Sequence, residues 1–132
     1  MGQPAAKKGD QIVAVDIHIV LVPSPVGPVP TPLPHPFAGV LTGSLSPNVN
    51  VMGLPAATVG STADNMPPHL PTPPGTAFQM PPKNKGTVIM GSPTVYINGR
   101  MAARQGDLAT TCQDPVDLPG GQVIAVGTVF IG

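Results

Sequence analysis

Residues 46–61 of this 132-residue chain align without a gap on residues 92–107, an offset of 46, and that repeat narrows the possible folds more than any other feature. The copies read Ser46-Pro47-Asn48-Val49-Asn50-Val51-Met52-Gly53-Leu54-Pro55-Ala56-Ala57-Thr58-Val59-Gly60-Ser61 and Ser92-Pro93-Thr94-Val95-Tyr96-Ile97-Asn98-Gly99-Arg100-Met101-Ala102-Ala103-Arg104-Gln105-Gly106-Asp107. A truncated third copy opens the chain as Met1-Gly2-Gln3-Pro4-Ala5-Ala6-Lys7-Lys8-Gly9-Asp10 and lacks the strand that precedes the glycine in the other two. Thr128-Val129-Phe130-Ile131-Gly132 reads like Thr94-Val95-Tyr96-Ile97-Asn98, so the last strand is expected to dock beside the N-terminus and complete the first unit. Repeated units bury their faces against one another. The expectation is a single domain over residues 1–132, three lobes around one axis, with both termini at the same end.

Within the lobes the pattern is β. From Ile12 to Val22 the side chains alternate, with Val13, Val15, Ile17, Ile19 and Leu21 on one face and Ala14, Asp16, His18, Val20 and Val22 on the other. Val49/Val51, Val95/Ile97 and Val129/Ile131 repeat the alternation in shorter strands. Gly9, Gly60 and Gly106, like Gly2, Gly53 and Gly99, suit tight corners, and the paired alanines between them would let three lobes approach closely. Two proline runs, Pro23–Pro36 and Pro67–Pro82, read as ordered loops. No amphipathic helix is evident. The fold class is all-β: a small body of short strands and Pro/Gly-rich loops with pseudo-threefold repeats.

Such a body lacks the material for an ordinary core. The chain has 20 Pro and 16 Gly, no Trp, one Tyr and three Phe, so an interrupted backbone must be ordered around small aliphatic side chains. Yet 41 % of residues are hydrophobic and 9 % charged with zero net charge, the opposite of a disordered chain. A cross-link is therefore expected, and one cysteine cannot form an internal disulfide. A metal ion is the remaining internal staple. Sparse Lys and Arg argue against a nucleic-acid partner. Lys7 and Lys8 precede the apolar run Ile12–Val22, but Asp16 and His18 interrupt it, so neither a secretory leader nor a membrane span is expected.

The donors are at hand. His18, His35, His69 and Cys112 are the only imidazoles and the only thiol, and together they suffice for one tetrahedral shell. His18 lies nine residues after Gly9, His69 nine after Gly60, and Cys112 six after Gly106. Near-register ligands on internal repeats fit a metal on or near the common axis. Prolines flank His35 and His69, and stiff backbone would pre-position them. Asp16 points the same way as His18 and could orient that imidazole; a carboxylate at a strand surface is the plain alternative.

The repeat, the Gly-Asp corners and the phrase Gly91–Asp107 closely resemble the PAAR-repeat proteins, named for a Pro-Ala-Ala-Arg motif. Here the motif varies as Pro4-Ala5-Ala6-Lys7, Pro55-Ala56-Ala57-Thr58 and Met101-Ala102-Ala103-Arg104. The resemblance runs over the whole chain, strongest at 86–112 and weakest at 23–36. It implies a sharp β cone capping the spike of a contractile injection machine, such as a type VI secretion system, a contractile phage tail or an extracellular injection particle. It further implies a zinc ion near the apex, ahead of iron, held by three histidines and a cysteine that match His18, His35, His69 and Cys112. The implied partner is a trimeric, β-helical spike protein of the VgrG type, met by three similar lobes with roughly equivalent contacts. Lys7, Lys8, Arg100 and Arg104 are candidates for that base, or for a solvated rim.

A closed four-ligand shell is structural and leaves no position for substrate, so no catalytic residue is assigned. A zinc-dependent hydrolase on the same His/Cys site is the alternative, with Asp16, Asp64 or Asp114 as a base by type. A Cys112 nucleophile lacks a supporting elbow or helix start around Thr110–Gln113, and a disordered proline-rich adaptor is the third reading. The expected location is the bacterial cytoplasm for synthesis and assembly, then delivery at the tip of the apparatus. Membrane contact would be transient, and any effector cargo would be a separate protein.

Overall fold

Three corners of nearly identical geometry organise the chain. The structure, a computed structural model, describes residues 2–132; Met1, the first residue of the truncated repeat, lies outside them. At the corners the amides of Lys7, Thr58 and Arg104 donate to the side chains of Asp10, Ser61 and Asp107, at 3.1, 2.9 and 2.6 Å. The return bonds run from the amides of those three residues to the carbonyls of Lys7, Thr58 and Arg104. Between them Gly9, Gly60 and Gly106 have φ of +92°, +96° and +86°, a conformation glycine adopts without steric cost.

Inside the corners the paired alanines meet as expected. The Ala6 amide donates to Ala103, Ala103 to Ala57, and Ala57 back to Ala6, at 2.9, 3.0 and 3.0 Å, which closes a ring of backbone hydrogen bonds. Ala5, Ala6, Ala56, Ala57, Ala102 and Ala103 are all at most 2 % exposed. Any larger side chain there would hold the lobes apart. Two of the motif cations turn inward: Lys7 is buried against Asp10 and Val126 O, and Arg104 is paired with Asp107 at 2.8 Å.

Short hairpins flank the ring. β1 (Gln3–Pro4) takes its partner from the other end of the chain, while β4 (Asn50–Val51) pairs β5 (Leu54–Pro55) and β9 (Tyr96–Ile97) pairs β10 (Arg100–Met101). That partner is β13 (Phe130–Ile131), antiparallel to β1 with Gln3 opposite Ile131. The first unit is thus completed by the last strand, as the repeat predicts.

Each corner then launches a longer hairpin: β2 (Gln11–Val22) with β3 (Val29–Gly43), β6 (Thr62–Asn65) with β8 (Lys85–Val88), and β11 (Leu108–Thr111) with β12 (Leu118–Ile124). β3 pairs β6, β8 pairs β11 and β12 returns to β2, so six antiparallel strands close on themselves. Closure removes the sheet edges. The interior holds Ile12, Phe37, Leu41, Val88 and Val123 with the inner alanines, a core dominated by small aliphatic side chains. β7 (Ala77–Phe78) adds to the outer end of β2. None of the described residues forms a helix.

One expectation is corrected. Most of the Pro23–Pro36 run is strand, because residues 29–36 belong to β3 and pair in register with β2 from Val29 opposite Val22 to Pro36 opposite Val15. The prolines at 30, 32, 34 and 36 recur with the strand's own period of two. The Leu41 amide bonds Asp10 O on the β2 side, whereas the Ala38 amide bonds Asn65 Oδ1 on the far side. The four prolines share the parity of Ala38, so each missing N–H falls on the side away from β2, beyond the end of β6. Proline is tolerated where no ladder bond is needed. The Pro67–Pro82 run is irregular apart from β7.

Candidate metal centre

β2 carries an inverted pattern. Its buried side chains are Ile12, Asp16, His18 and Val20, while Val15 is 62 % exposed. A strand that turns a carboxylate and an imidazole inward and valine outward is arranged around something polar. Asp16 lies opposite His35 in the β2–β3 register. His69 enters from the loop after β6, and Cys112 follows the last residue of β11. All three long hairpins therefore contribute, just past the ends of β6 and β11.

The four side chains expected as ligands are gathered and buried: His18 1 %, His35 2 %, His69 8 % and Cys112 2 % exposed. The imidazoles form a triangle with centroids 5.4, 5.0 and 5.5 Å apart for His18–His35, His18–His69 and His35–His69. Cys112 Sγ is 3.6 Å from His18 Nε2. Phe37 lies 6.1 Å from His69 and Phe78 5.3 Å from His35, centroid to centroid, so aromatic rings flank the group.

Asp16, fully buried, stands in the middle of the group. Its Oδ2 is 2.9 Å from His69 Nε2, 3.4 Å from Cys112 Sγ and 4.0 Å from His18 Nε2, and its Oδ1 accepts from Thr111 Oγ1. One donor atom from each of Asp16, His18, His69 and Cys112 lies within 4.8 Å of every other. His35 falls outside that set. Its Nδ1 is 2.8 Å from Leu33 O, and its Nε2 accepts the Thr72 amide at 3.1 Å, which together define a neutral ring with the proton on Nδ1. Burial, the largest influence, lowers the His35 pKa; the Leu33 hydrogen bond opposes it.

His18 Nδ1 is buried with no hydrogen-bond partner among the described residues. The nearest carboxylate oxygen is Asp114 Oδ2 at 3.5 Å, which also accepts the Ile19 amide at 2.9 Å. A carboxylate behind an imidazole is the usual means of aiming the other nitrogen at an ion. Of the acids considered by type, Asp16 and Asp114 belong to the site, whereas Asp64 is exposed beside Lys85 and Thr42.

The sequence did not flag the residues that hold His69 in place. Asn84 Oδ1 accepts the His69 amide at 2.8 Å and the Asn65 side-chain amide at 3.2 Å. A signal exists only in hindsight: two asparagines lie at the inner borders of a proline-rich loop. Thr111, next to Cys112, was likewise unremarkable by type.

The thiol of Cys112 is pushed up to about 11, first by burial and then by the Asp16 charge, against backbone amides of Asn84 and Lys85 that point at the sulfur. Such a thiol is a poor nucleophile at neutral pH. Imidazole, thiol and carboxylate in one dry cluster are a donor set suited to a divalent transition-metal ion. The cluster can bind a metal.

The PAAR motif family model matches residues 31–116 and again 78–132, together 31–132, with the overlap expected of a motif that recurs. No curated protein matches the chain. A family match over three quarters of the sequence, taking in the second and third corners, places the chain in the PAAR motif family.

Proposed function

We propose that this chain is the metal-stabilised tip of a contractile injection apparatus, seated on a trimeric, VgrG-like spike. The observation that carries the reading is the closed ring from Ala6 to Ala103 to Ala57, which makes one chain offer three near-equivalent corners. A threefold partner is the geometry such a base would match. Apolar side chains are exposed at equivalent places on the base hairpins: Tyr96 and Phe130 at 59 % and 60 %, Val49 and Val129 at 37 % and 41 %. Aromatic anchors of this kind are typical of interface centres.

At the other end, His18, His69 and Cys112, with a fourth ligand from His35 or Asp16, would hold zinc rather than iron. The bound ion would supply a cross-link among the three long hairpins where too few residues remain to bury one another. The chain's own part is positional. Asp114 backs His18, Asn84 fixes the His69 loop, and Phe37 and Phe78 shield the cluster from water. A filled shell leaves no open position for substrate, so we read the site as structural and the protein as a non-enzyme. Synthesis and assembly in the bacterial cytoplasm and transient membrane puncture on delivery complete the reading.

Binding to a VgrG-like spike trimer from the same source tests the proposal. One tip per three spike chains is expected, weakened at least tenfold by Tyr96→Asp plus Phe130→Asp. No binding by a folded, metal-loaded tip would overturn it.

A further inference from the structure

We propose that the β2–β3 hairpin beyond the cluster is a lipid-seeking beak, which enters the apolar layer of an uncharged bilayer by its own affinity, without being driven there. The inference rests on the reading of the summit as the leading end, and adds the segment that meets lipid and the means by which it does so.

Register shows how far the hairpin reaches. His18 lies opposite Leu33, and four more rungs follow, the last pairing Val22 with Val29. At about 3.3 Å per residue the strands run roughly 13 Å past that rung. The strands of the other two long hairpins end before the cluster, β6 at Asn65 and β11 at Thr111.

The part that extends is stripped of the groups that hold a segment in water. No Asp, Glu, Lys or Arg occurs between Asp16 and Asp64, or between Asp64 and Lys83, so the hairpin and the loop that carries β7 beside it are both without formal charge. Six of the sixteen residues 19–34 are proline and have no N–H. Those at 30, 32 and 34 remove the donors from the outer edge of β3. The opposite edge, on β2, is covered: Asp114 Oδ2 accepts the Ile19 amide, the Gln79 amide donates to Ile19 O, and the Thr76 amide to Leu21 O. In the turn, the Gly27 amide donates to Ser24 O and the Val26 amide to Ser24 Oγ, whose own proton goes to Gly27 O. Free N–H groups and charges are what an apolar medium excludes most strongly. At the far end stands Val26, 93 % exposed, with Val29 at 42 %.

An edge that had only to avoid pairing with other strands in water could use lysine. Here proline does so and no charge is added. The carbonyls of Pro30 and Pro32 remain on that edge and set the depth: the turn reaches the acyl chains while the rungs behind it stay at headgroup level.

The test uses the full chain and sucrose-loaded vesicles of phosphatidylcholine alone, with bound protein read by sedimentation. Native protein should co-sediment at millimolar lipid, and within about twofold to the same extent when salt rises from about 0.1 M to about 0.5 M, because the contact is apolar. Val26→Asp alters a fully solvated side chain, so it should fold normally and bind at least about tenfold more weakly. The chain has no tryptophan, which makes Val26→Trp a reporter. Its emission should shift to the blue on phosphatidylcholine and be quenched by lipids brominated along the acyl chains. Val126→Trp, beside the Lys7 corner at the other end, should respond to neither. The inference is overturned if native protein stays in the supernatant, if Val26→Asp binds as well as the native chain, or if binding needs anionic lipid and vanishes with salt. Each of those results leaves the spike-binding test standing. A chain that binds vesicles and no spike would instead bring down the tip reading and leave the beak.

Discussion

The base and the summit of this molecule solve the same problem, holding three lobes together, by opposite means. At the base each lobe supplies the same parts: a positive-φ glycine, a polar side chain three residues after the corner's first amide, and two buried alanines. At the summit no two lobes match. β2 gives Asp16 and His18, its partner strand gives His35, the second hairpin gives a loop histidine, and the third gives a cysteine. The backbone ring needs a repeated geometry, so the repeats keep their letters there. A metal site of the kind proposed would need several different donors, and the repeats diverge once the strands leave the corner. Symmetry lasts only as far as the hydrogen bonds that require it.

The sharpest way to separate the two ends is to remove the staple. Chelation, or Cys112→Ser, is expected to cost several kcal/mol, since metal binding in small metal-held folds contributes on the order of 10 kcal/mol or more. At about 3–5 °C per kcal/mol for a domain near this size, the melting temperature should fall by roughly 10–20 °C in calorimetry. The loss should be local. Amide exchange ought to accelerate around Asn65, Lys85 and Thr111, while the Ala6, Ala57 and Ala103 amides keep their protection. An unchanged melting curve after verified metal removal would refute the staple.

The reciprocal experiment attacks the base. Ala57→Leu places three extra carbons where the present side chain is 1 % exposed, and overpacking a close-packed site costs roughly 1–3 kcal/mol or more. Because the ring is closed, Ala6→Leu and Ala103→Leu should each destabilise by nearly the same amount. Chemical denaturation of the three variants checks this; a spread wider than about 2 kcal/mol would show the ring is not equivalent in energy. Smaller still are the corner caps. Ser61→Ala removes the oxygen that takes the Thr58 amide and donates to Ser44 O, an expected loss of about 1 kcal/mol. Asp107→Asn should cost a similar amount by weakening the Arg104 contacts.

What the sequence disclosed follows the same division. The corners were readable because three copies carry one local pattern, and local backbone geometry follows local residues: Gly9, Gly60 and Gly106 all adopt the positive φ expected of them. The meeting of the first and last strands was readable for the same reason. The proline run reads as loop by composition, whereas its period of two is that of the strand it forms. That His18, His35, His69 and Cys112 would be neighbours was foreseeable from their scarcity. The partners of His35, Leu33 O and the Thr72 amide, were not, because strand register and loop path set them rather than residue type.

The last contrast is one of acidity, and its expected effect is the smallest. In the metal-free chain the Cys112 pKa stands at about 11 against an ordinary 9.0, because burial disfavours the thiolate. Between those values the unfolded chain has released its proton and the folded chain has not, so the unfolded state binds fewer protons. Stability must then fall as pH rises through that window, and be unaffected below it. By pH 10 the loss should be on the order of 1 kcal/mol. Cys112→Ser should abolish the slope while Ser61→Ala leaves it intact, since the corner holds no comparable group. Urea titrations at pH 8 and pH 10 on the metal-free proteins measure the difference. The same thiol, kept protonated and 2 % exposed, should react with a disulfide reagent at neutral pH only as fast as the summit opens. Rapid labelling of the folded chain would place the sulfur outside the cluster on which the summit's stability rests.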